Sequence, residues 1–478
     1  MRTIIWFISV LAFCSLPAAG KPNVLFIAVD DLRPEFSAYG ATHIHSPNLD
    51  RLAARGLVFD RAYCQQAVCN PSRASLMSGR RPDTIRVWDL QTDMRHHIPD
   101  LVTIPQQFAK HGYHTERLGK IYHMGHGVGD DKASWTRRVN YKLAPRKDPE
   151  SQKAYQKQRA ELKAAGRDAS RARGVPFAHP DCADNELFDG AMTDQAIKLL
   201  GELKDKPFFL AVGYLNPHLP FIAPKKYWDM YDHAAIKVPP KTEPDGITSY
   251  SLTNWGELRA YVDIPRKGSL DEAKSRNLIH GYYAAVSYVD AQVGRLLDAL
   301  DKEGLADNTI VILWGDHGWK LGEYGSWCKH TNMELDTHVP LLISAPGMKA
   351  AGKHSKALVE FVDIYPSLCE LAGVPIPDGL DGRSFAPLLN DPDQPWKSSA
   401  FSQYPRGKVM GYSMRTERYH FVRWVNRGDA LGEALAVEVY DHQADPLEMN
   451  NLAADGQNSA LVKKLTEQYK RELPPASR

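Results

Sequence analysis

Cysteine is scarce in this chain, 6 among 478 residues, far below the density of the disulfide scaffolds that hold small secreted domains together. Neither charge sign dominates, with 59 Lys and Arg against 57 Asp and Glu, so the chain as a whole lacks the basic footprint of a nucleic-acid binder. No apolar run reaches the ~20 residues that cross a bilayer. No Asn-x-Ser/Thr acceptor occurs except Asn70-Pro71-Ser72, where proline blocks the signal. Internal repeats are absent as well. What is present is 43% apolar and 24% charged residues, which excludes a disordered or fibrous chain and allows a full core. At about 100–200 residues per domain, the length suits two domains, or one large α/β domain with an appendage.

The first 20 residues read as a signal peptide. Arg2 gives a positive start, Ile4 to Phe13 is apolar except for Ser9, and Ala18-Ala19-Gly20 offers small residues for cleavage before Lys21. The bulky Phe13 before Cys14 argues against a lipoprotein. The expectation is an exported protein, periplasmic or secreted, without a membrane anchor.

From Asn23 to Val29 the residues are apolar after the first, the pattern of a strand buried on both faces, and the run ends in Asp30-Asp31. Similar runs occur at 207–213, 309–314 and 339–343, with helical spacing between them at 46–55, 193–204 and 281–303. Strand alternating with helix predicts an α/β fold: a large mixed, mostly parallel sheet with helices on both faces. Chemistry in such sheets gathers at the carboxyl ends of strands, where Asp30-Asp31 and Gly315-Asp316-His317 fall. After residue 406 the pattern changes to short alternating runs, 410–416 and 419–425, and a last helix over 459–472. This predicts a catalytic domain over 21–406 and a small C-terminal α+β subdomain with an antiparallel sheet over 407–478.

The segment Cys69-Asn70-Pro71-Ser72-Arg73, continued to Ser78-Gly79-Arg80, resembles the signature of type I sulfatases of the alkaline-phosphatase superfamily, in which the Cys is oxidised to formylglycine. The resemblance is strongest to the iduronate-2-sulfatase type. It extends through 23–33, 65–84, Gly119-Lys120 with His123, 212–221, 282–297, 316–325, 337–340, 411–416 and the tail 445–452.

That resemblance implies hydrolysis of a sulfate ester on a sugar, most specifically the 2-O-sulfate of a hexuronate. A hydrated aldehyde at Cys69 supplies one hydroxyl to attack sulfur and a second whose deprotonation expels sulfate, a step serine lacks. Asp30, Asp31, Asp316 and His317, with the Cys69 derivative, form an oxygen-rich site suited to Ca²⁺ or Mg²⁺, and the family points to Ca²⁺. Arg73 is expected to hold the hydrate or its metal environment, Lys120 a sulfate oxygen, and His123 the second hydroxyl. His218 and Lys329 are the candidates for sulfate contact and leaving-group protonation. Trp319 is expected as an apolar wall against the sugar, and Arg415 as a contact to a uronate carboxylate or a brace between domains. A formylglycine-generating enzyme is the implied maturation partner, and a sulfated saccharide the implied substrate. A Cys64–Cys69 bridge would block the modification, while Cys182, Cys328 and Cys369 have no deducible partner. The alternatives are a sulfatase for another sulfated polysaccharide sugar, and a phosphatase or phosphodiesterase of the same superfamily. Those phosphoryl-transfer relatives use Ser or Thr where this chain has Cys69.

One segment belongs to no motif. Residues 132–173 hold 13 Lys and Arg against 4 Asp and Glu. They read either as a solvated insertion or, through residues such as Lys153, Lys157, Arg159 and Lys163, as an electrostatic guide for a polyanionic saccharide.

Overall fold

A computed structural model describes residues 20–475. The signal peptide therefore lies outside the described residues except for Gly20. Seven strands form the main sheet: β1 (Asn23–Asp30), β2 (Leu57–Phe59), β3 (His114–Gly119), β4 (Phe208–Pro217), β5 (Thr309–Gly315), β6 (Leu341–Ser344) and β7 (Lys353–Ser355). Their order is β7-β2-β6-β5-β1-β4-β3. Every neighbouring pair is parallel except those made by β6, which runs against both β2 and β5. The mixed, mostly parallel sheet is thus as expected.

The unbroken apolar character of β1 follows from its central place, since its alternate side chains feed two separate cores. Leu25, Ile27 and Val29 pack with α4 (Phe188–Leu203) and α5 (Glu272–Lys302), together with α1 (Pro47–Arg55). Val24, Phe26 and Ala28 pack on the opposite side with α2 (Cys69–Ser78) and α6 (Ile364–Leu371). Helix α5 begins nine residues before the apolar spacing becomes visible, because Asp271 caps it by accepting from Lys274 N at 2.7 Å. The basic segment contributes α3 (Pro149–Ala164), capped by Asp148 and largely exposed.

The C-terminal antiparallel sheet is built from β8 (Ser399–Arg406), β9 (Val409–Thr416), β10 (Tyr419–Asn426) and β11 (Ala436–Asp441) in sequential order. Met414, Phe421 and Val439 on one face bury against Leu465 and Tyr469 of α7 (Ser459–Glu472). The sheet begins at Ser399, so residues 406 and 407 fall at the turn of its first hairpin. No helix among the described residues is long and apolar enough to cross a membrane.

Candidate active site

The ends of β1 and β5 are adjacent, Val29 opposite Gly315, and this delivers their acidic termini to one place. Asp31 N donates to Asp316 Oδ1 at 2.9 Å, stitching the two strand ends together. Carboxylate oxygens of Asp30, Asp31 and Asp316, all buried, lie within 4.8 Å of one another. His317 Nδ1 is 3.0 Å from Gly318 O, an atom that only accepts, so Nδ1 carries the ring proton. Its Nε2 then turns a lone pair toward Asp31 Oδ1 at 3.3 Å and Asp316 Oδ1 at 3.6 Å. Burial also disfavours a charged His317. Converging lone pairs of three carboxylates and one imidazole fit a hard divalent cation.

Cys69 opens α2, where the helix N-terminus favours negative charge. Its Sγ lies 3.4 Å from His317 Nε2, 3.5 Å from Lys120 Nζ and 3.7 Å from Asp30 Oδ1. Burial pushes this thiol well above its ordinary range in spite of Lys120 and Lys329, which disfavours chemistry by a simple thiolate. One turn along α2, Arg73 is fully buried and bridges Asp316 Oδ2 at 2.8 Å and Asp30 Oδ1 at 3.1 Å. Lys120 follows β3 and reaches Asp30 Oδ2 at 2.5 Å. The close crossing behind it requires glycine, since a Cβ on Gly119 would stand 2.1 Å from Gly213 O. Burial opposes ionisation of Asp30, yet Lys120, His218 and Arg73 hold it well below the usual carboxylate range.

His218 follows β4. Its loop is pinned by buried Asp189 of α4, which accepts from Leu215 N and Asn216 N, each at 3.0 Å. Arg146 caps the turn by donating to His218 O and Leu219 O at 2.7 and 2.8 Å. Lys329 Nζ is 2.9 Å from Asp31 Oδ1. Between His218 and Lys329 stands a residue that the sequence reading did not single out, Glu257. Its Oε1 is 3.1 Å from His218 Nε2 and its Oε2 is 3.0 Å from Lys329 Nζ. Burial works against its charge, but Lys329 and His218 keep it well below the usual range. It lies in an irregular stretch with no motif, so only tertiary placement reveals it.

Of the remaining candidates, only Trp319 departs from its expected role. His123 is neutral, pushed down to about 3 by burial and by the Lys120 charge, and its Nε2 faces His126 Nδ1 at 3.3 Å. Its buried Nδ1 has no partner among the described residues. Trp319 has no exposed surface and is not a wall against a sugar; its ring supports Lys329, whose Nζ lies 4.7 Å from the ring centre. Arg415 pairs with Glu334 at 3.2 Å, bracing β9 against the catalytic domain, the second of its two expected roles. Glu334 also belongs to a cluster with His420, His442 and Glu448. There Tyr63 and Arg415 serve Glu334, while Glu334 N and both histidines serve Glu448, so protein donors already fill it. Cys64, Cys69, Cys182, Cys328 and Cys369 are all free.

A sequence model described as Sulfatase matches residues 22–374, and one described as N-sulphoglucosamine sulphohydrolase, C-terminal, matches residues 322–473. The chain is 35% identical to human iduronate 2-sulfatase, over 93% of each. It is 31% identical to a sulfatase of Formosa agariphila, covering 95% of this chain and 86% of that one. Among solved structures, a protein bound to its substrate D-glucosamine-2-N,6-O-disulfate superposes with a TM-score of 0.72 at 24% identity, covering 95% of this chain and 99% of that one. Phosphonate monoester hydrolase of Agrobacterium radiobacter superposes with 0.73 at 23% identity, over 94% and 95% of the two chains. These two structural likenesses show the shared fold.

Proposed function

Because the chain belongs to the sulfatase family of the alkaline-phosphatase superfamily, and is thereby a sulfuric ester hydrolase, we propose that it cleaves sulfate esters on sugars, specifically the 2-O-sulfate of a hexuronate. One observation carries the reading: Cys69 Sγ stands within 4 Å of Lys120, Asp30 and His317, at the strand ends where three carboxylates meet. The hexuronate assignment is supported by the identity to iduronate 2-sulfatase along nearly the whole chain. The phosphonate hydrolase likeness rests on fold alone, whereas the Sulfatase model matches residues 22–374 and iduronate 2-sulfatase is 35% identical, which favours the sulfatase chemistry over the phosphoryl alternative.

Asp30, Asp31, Asp316 and His317 would hold the cation, Ca²⁺ or Mg²⁺, which when bound polarises and ionises the oxygens placed against it. A formylglycine made from Cys69 by a maturation enzyme would supply the nucleophilic hydroxyl. Arg73 fixes two of the ligand carboxylates from beneath. Lys120 and Lys329 bring positive charge to where sulfuryl oxygens gain negative charge in the transition state. His123, neutral and with an unpartnered Nδ1, is placed to take a proton. Glu257 holds the leaving-group pair, His218 and Lys329, in register. Export under residues 1–20 accords with an extracytoplasmic polysaccharide substrate, and N-terminal sequencing of the mature protein should begin at Lys21.

A panel of defined sulfated disaccharides tests the substrate. Sulfate release from the 2-O-sulfated uronate, with little from 6-O-sulfated glucosamine, is the expected result; the reverse preference contradicts it. Leaving-group dependence tests the roles. His218→Ala and Lys329→Ala should lower kcat on sugar sulfates by about 10²–10⁴, the usual range for a general acid. An aryl sulfate, whose phenolate needs little help to depart, should suffer much less. Equal losses on both substrates would assign these residues to binding alone. Glu257→Gln removes a charge-assisted contact worth roughly 1.5–3 kcal/mol and should show the same sugar-over-aryl bias at smaller scale. Glu257→Asp should restore part of the loss, and a uniform rise in KM without a change in kcat contradicts a positioning role.

A further inference from the structure

The lysines of α3 in the basic segment, Lys153, Lys157 and Lys163, are all exposed. Gln158 and Glu161 of α3 face inward, Gln158 donating to Ala260 O at 3.0 Å and accepting from Arg173 N and Gly174 N at 2.7 and 2.8 Å. Lys157, Arg159 and Lys163 are exposed on the other faces, and Lys153 is paired with Glu150 at 2.6 Å. Between the inner face of α3 and residues 256–266 runs a groove of about 630 Å³. Four arginines line it. Arg259 is committed to structure: it stacks 3.3 Å from the Trp255 ring centre and donates to the carbonyls of Asn254, Pro265 and Gly268.

Arg167, Arg171 and Arg266 are different. All three are exposed, and none makes a side-chain hydrogen bond or ion pair with a described residue. Glu161 and Asp263 are the acids on the same walls. The groove thus combines guanidinium forks free of direct hydrogen bonds, although Arg171 feels the charge of Asp168, with acceptors for hydroxyls; such forks match sulfate and carboxylate groups. One of its walls leads to the active site along the chain. Gly256 lines the groove, and the next residue, Glu257, touches Lys329 and His218.

We propose that this groove is a subsite for anionic sugars flanking the residue that is cleaved, so that the enzyme takes sulfated oligosaccharides in preference to single sulfated sugars. The proposal rests on the sulfatase reading and extends it to substrate length. Exposed ion pairs are individually weak, so the subsite works through three of them at once and is screened at high salt, where the Debye length is about 3 Å at 1 M against about 8 Å at physiological strength.

The test is calorimetric binding of a sulfated glycosaminoglycan hexasaccharide and a sulfated disaccharide to the Cys69→Ala protein, which holds substrate without turning it over. The hexasaccharide should bind more tightly at low salt. Adding Arg167→Ser, Arg171→Ser and Arg266→Ser should weaken the hexasaccharide by about tenfold and leave the disaccharide unchanged. With Cys69 intact, the same three substitutions should preserve aryl sulfate hydrolysis, which reports a sound fold. Equal binding of both lengths by Cys69→Ala overturns the proposal without any arginine variant. So does equal loss of affinity for single-stranded DNA, which would make the groove a general polyanion surface. Failure of the wild type to hydrolyse any sulfate ester contradicts the sulfatase reading instead, and the binding comparison still decides the groove.

Discussion

Cys69→Ala is expected to abolish sulfate ester hydrolysis while leaving the protein folded. The side chain is small and sits at the first position of α2, and its Sγ contacts are polar groups of the site rather than the cores on either face of the sheet. Losing it costs little packing, and removes the one atom from which a covalent nucleophile can be made. Nucleophile loss in a covalent hydrolase costs about 10⁶ in kcat, so activity below a thousandth of wild type is the expected range. Retention of more than a hundredth, on sugar or aryl sulfate, would sink the assigned chemistry. Circular dichroism and thermal unfolding should match wild type, separating a chemical loss from a structural one.

The second large effect concerns the cation. Asp316→Asn keeps the size of the side chain but removes one of three negative charges, and it also takes away the carboxylate that Arg73 Nε grips at 2.8 Å. Metal analysis should find the bound divalent ion lost, with kcat down by about 10²–10³, the scale of removing a preorganised electrostatic group. Chelation of wild type should mimic the variant, with rescue by Ca²⁺ or Mg²⁺. Full activity in excess chelator, with no ion detected, contradicts the site. Cation loading also has a pH sign. In the cation-free protein burial pushes Asp31 up to about 7, against the pull of Lys329. Below that pH the ion must displace a proton from Asp31, and above it the carboxylate is free. Affinity should therefore fall as pH drops through about 7, measured by metal titration on either side.

Much of this architecture is legible in the sequence because burial on both faces leaves an unmistakable mark. β1, β4 and β5 are uninterrupted apolar runs, and two of them end in the acids that form the site. Direction is not written in such a run, which is why β6 gives no sign that it is antiparallel. β3 reads His-Thr-Glu-Arg-Leu-Gly and carries no apolar run of its own because it is a polar edge strand. Cys69 and Arg73 are visible through local spacing on one helix. Glu257 is not, since its meaning lies in contacts with residues 39 and 72 positions away that the fold alone brings near. Trp319 shows the opposite failure. Its neighbours Asp316 and His317 belong to the site, but its ring is buried beneath Lys329 and offers no face to a sugar, while Arg415 meets Glu334 as a brace.

Mass spectrometry of the peptide bearing Cys69, taken from enzymatically active protein of the native host, tests the central claim most directly. The account predicts a residue that has lost its sulfur and carries an aldehyde, trapped by a hydrazide probe, in a fraction that scales with specific activity. A fully active preparation in which Cys69 remains an intact thiol would contradict it.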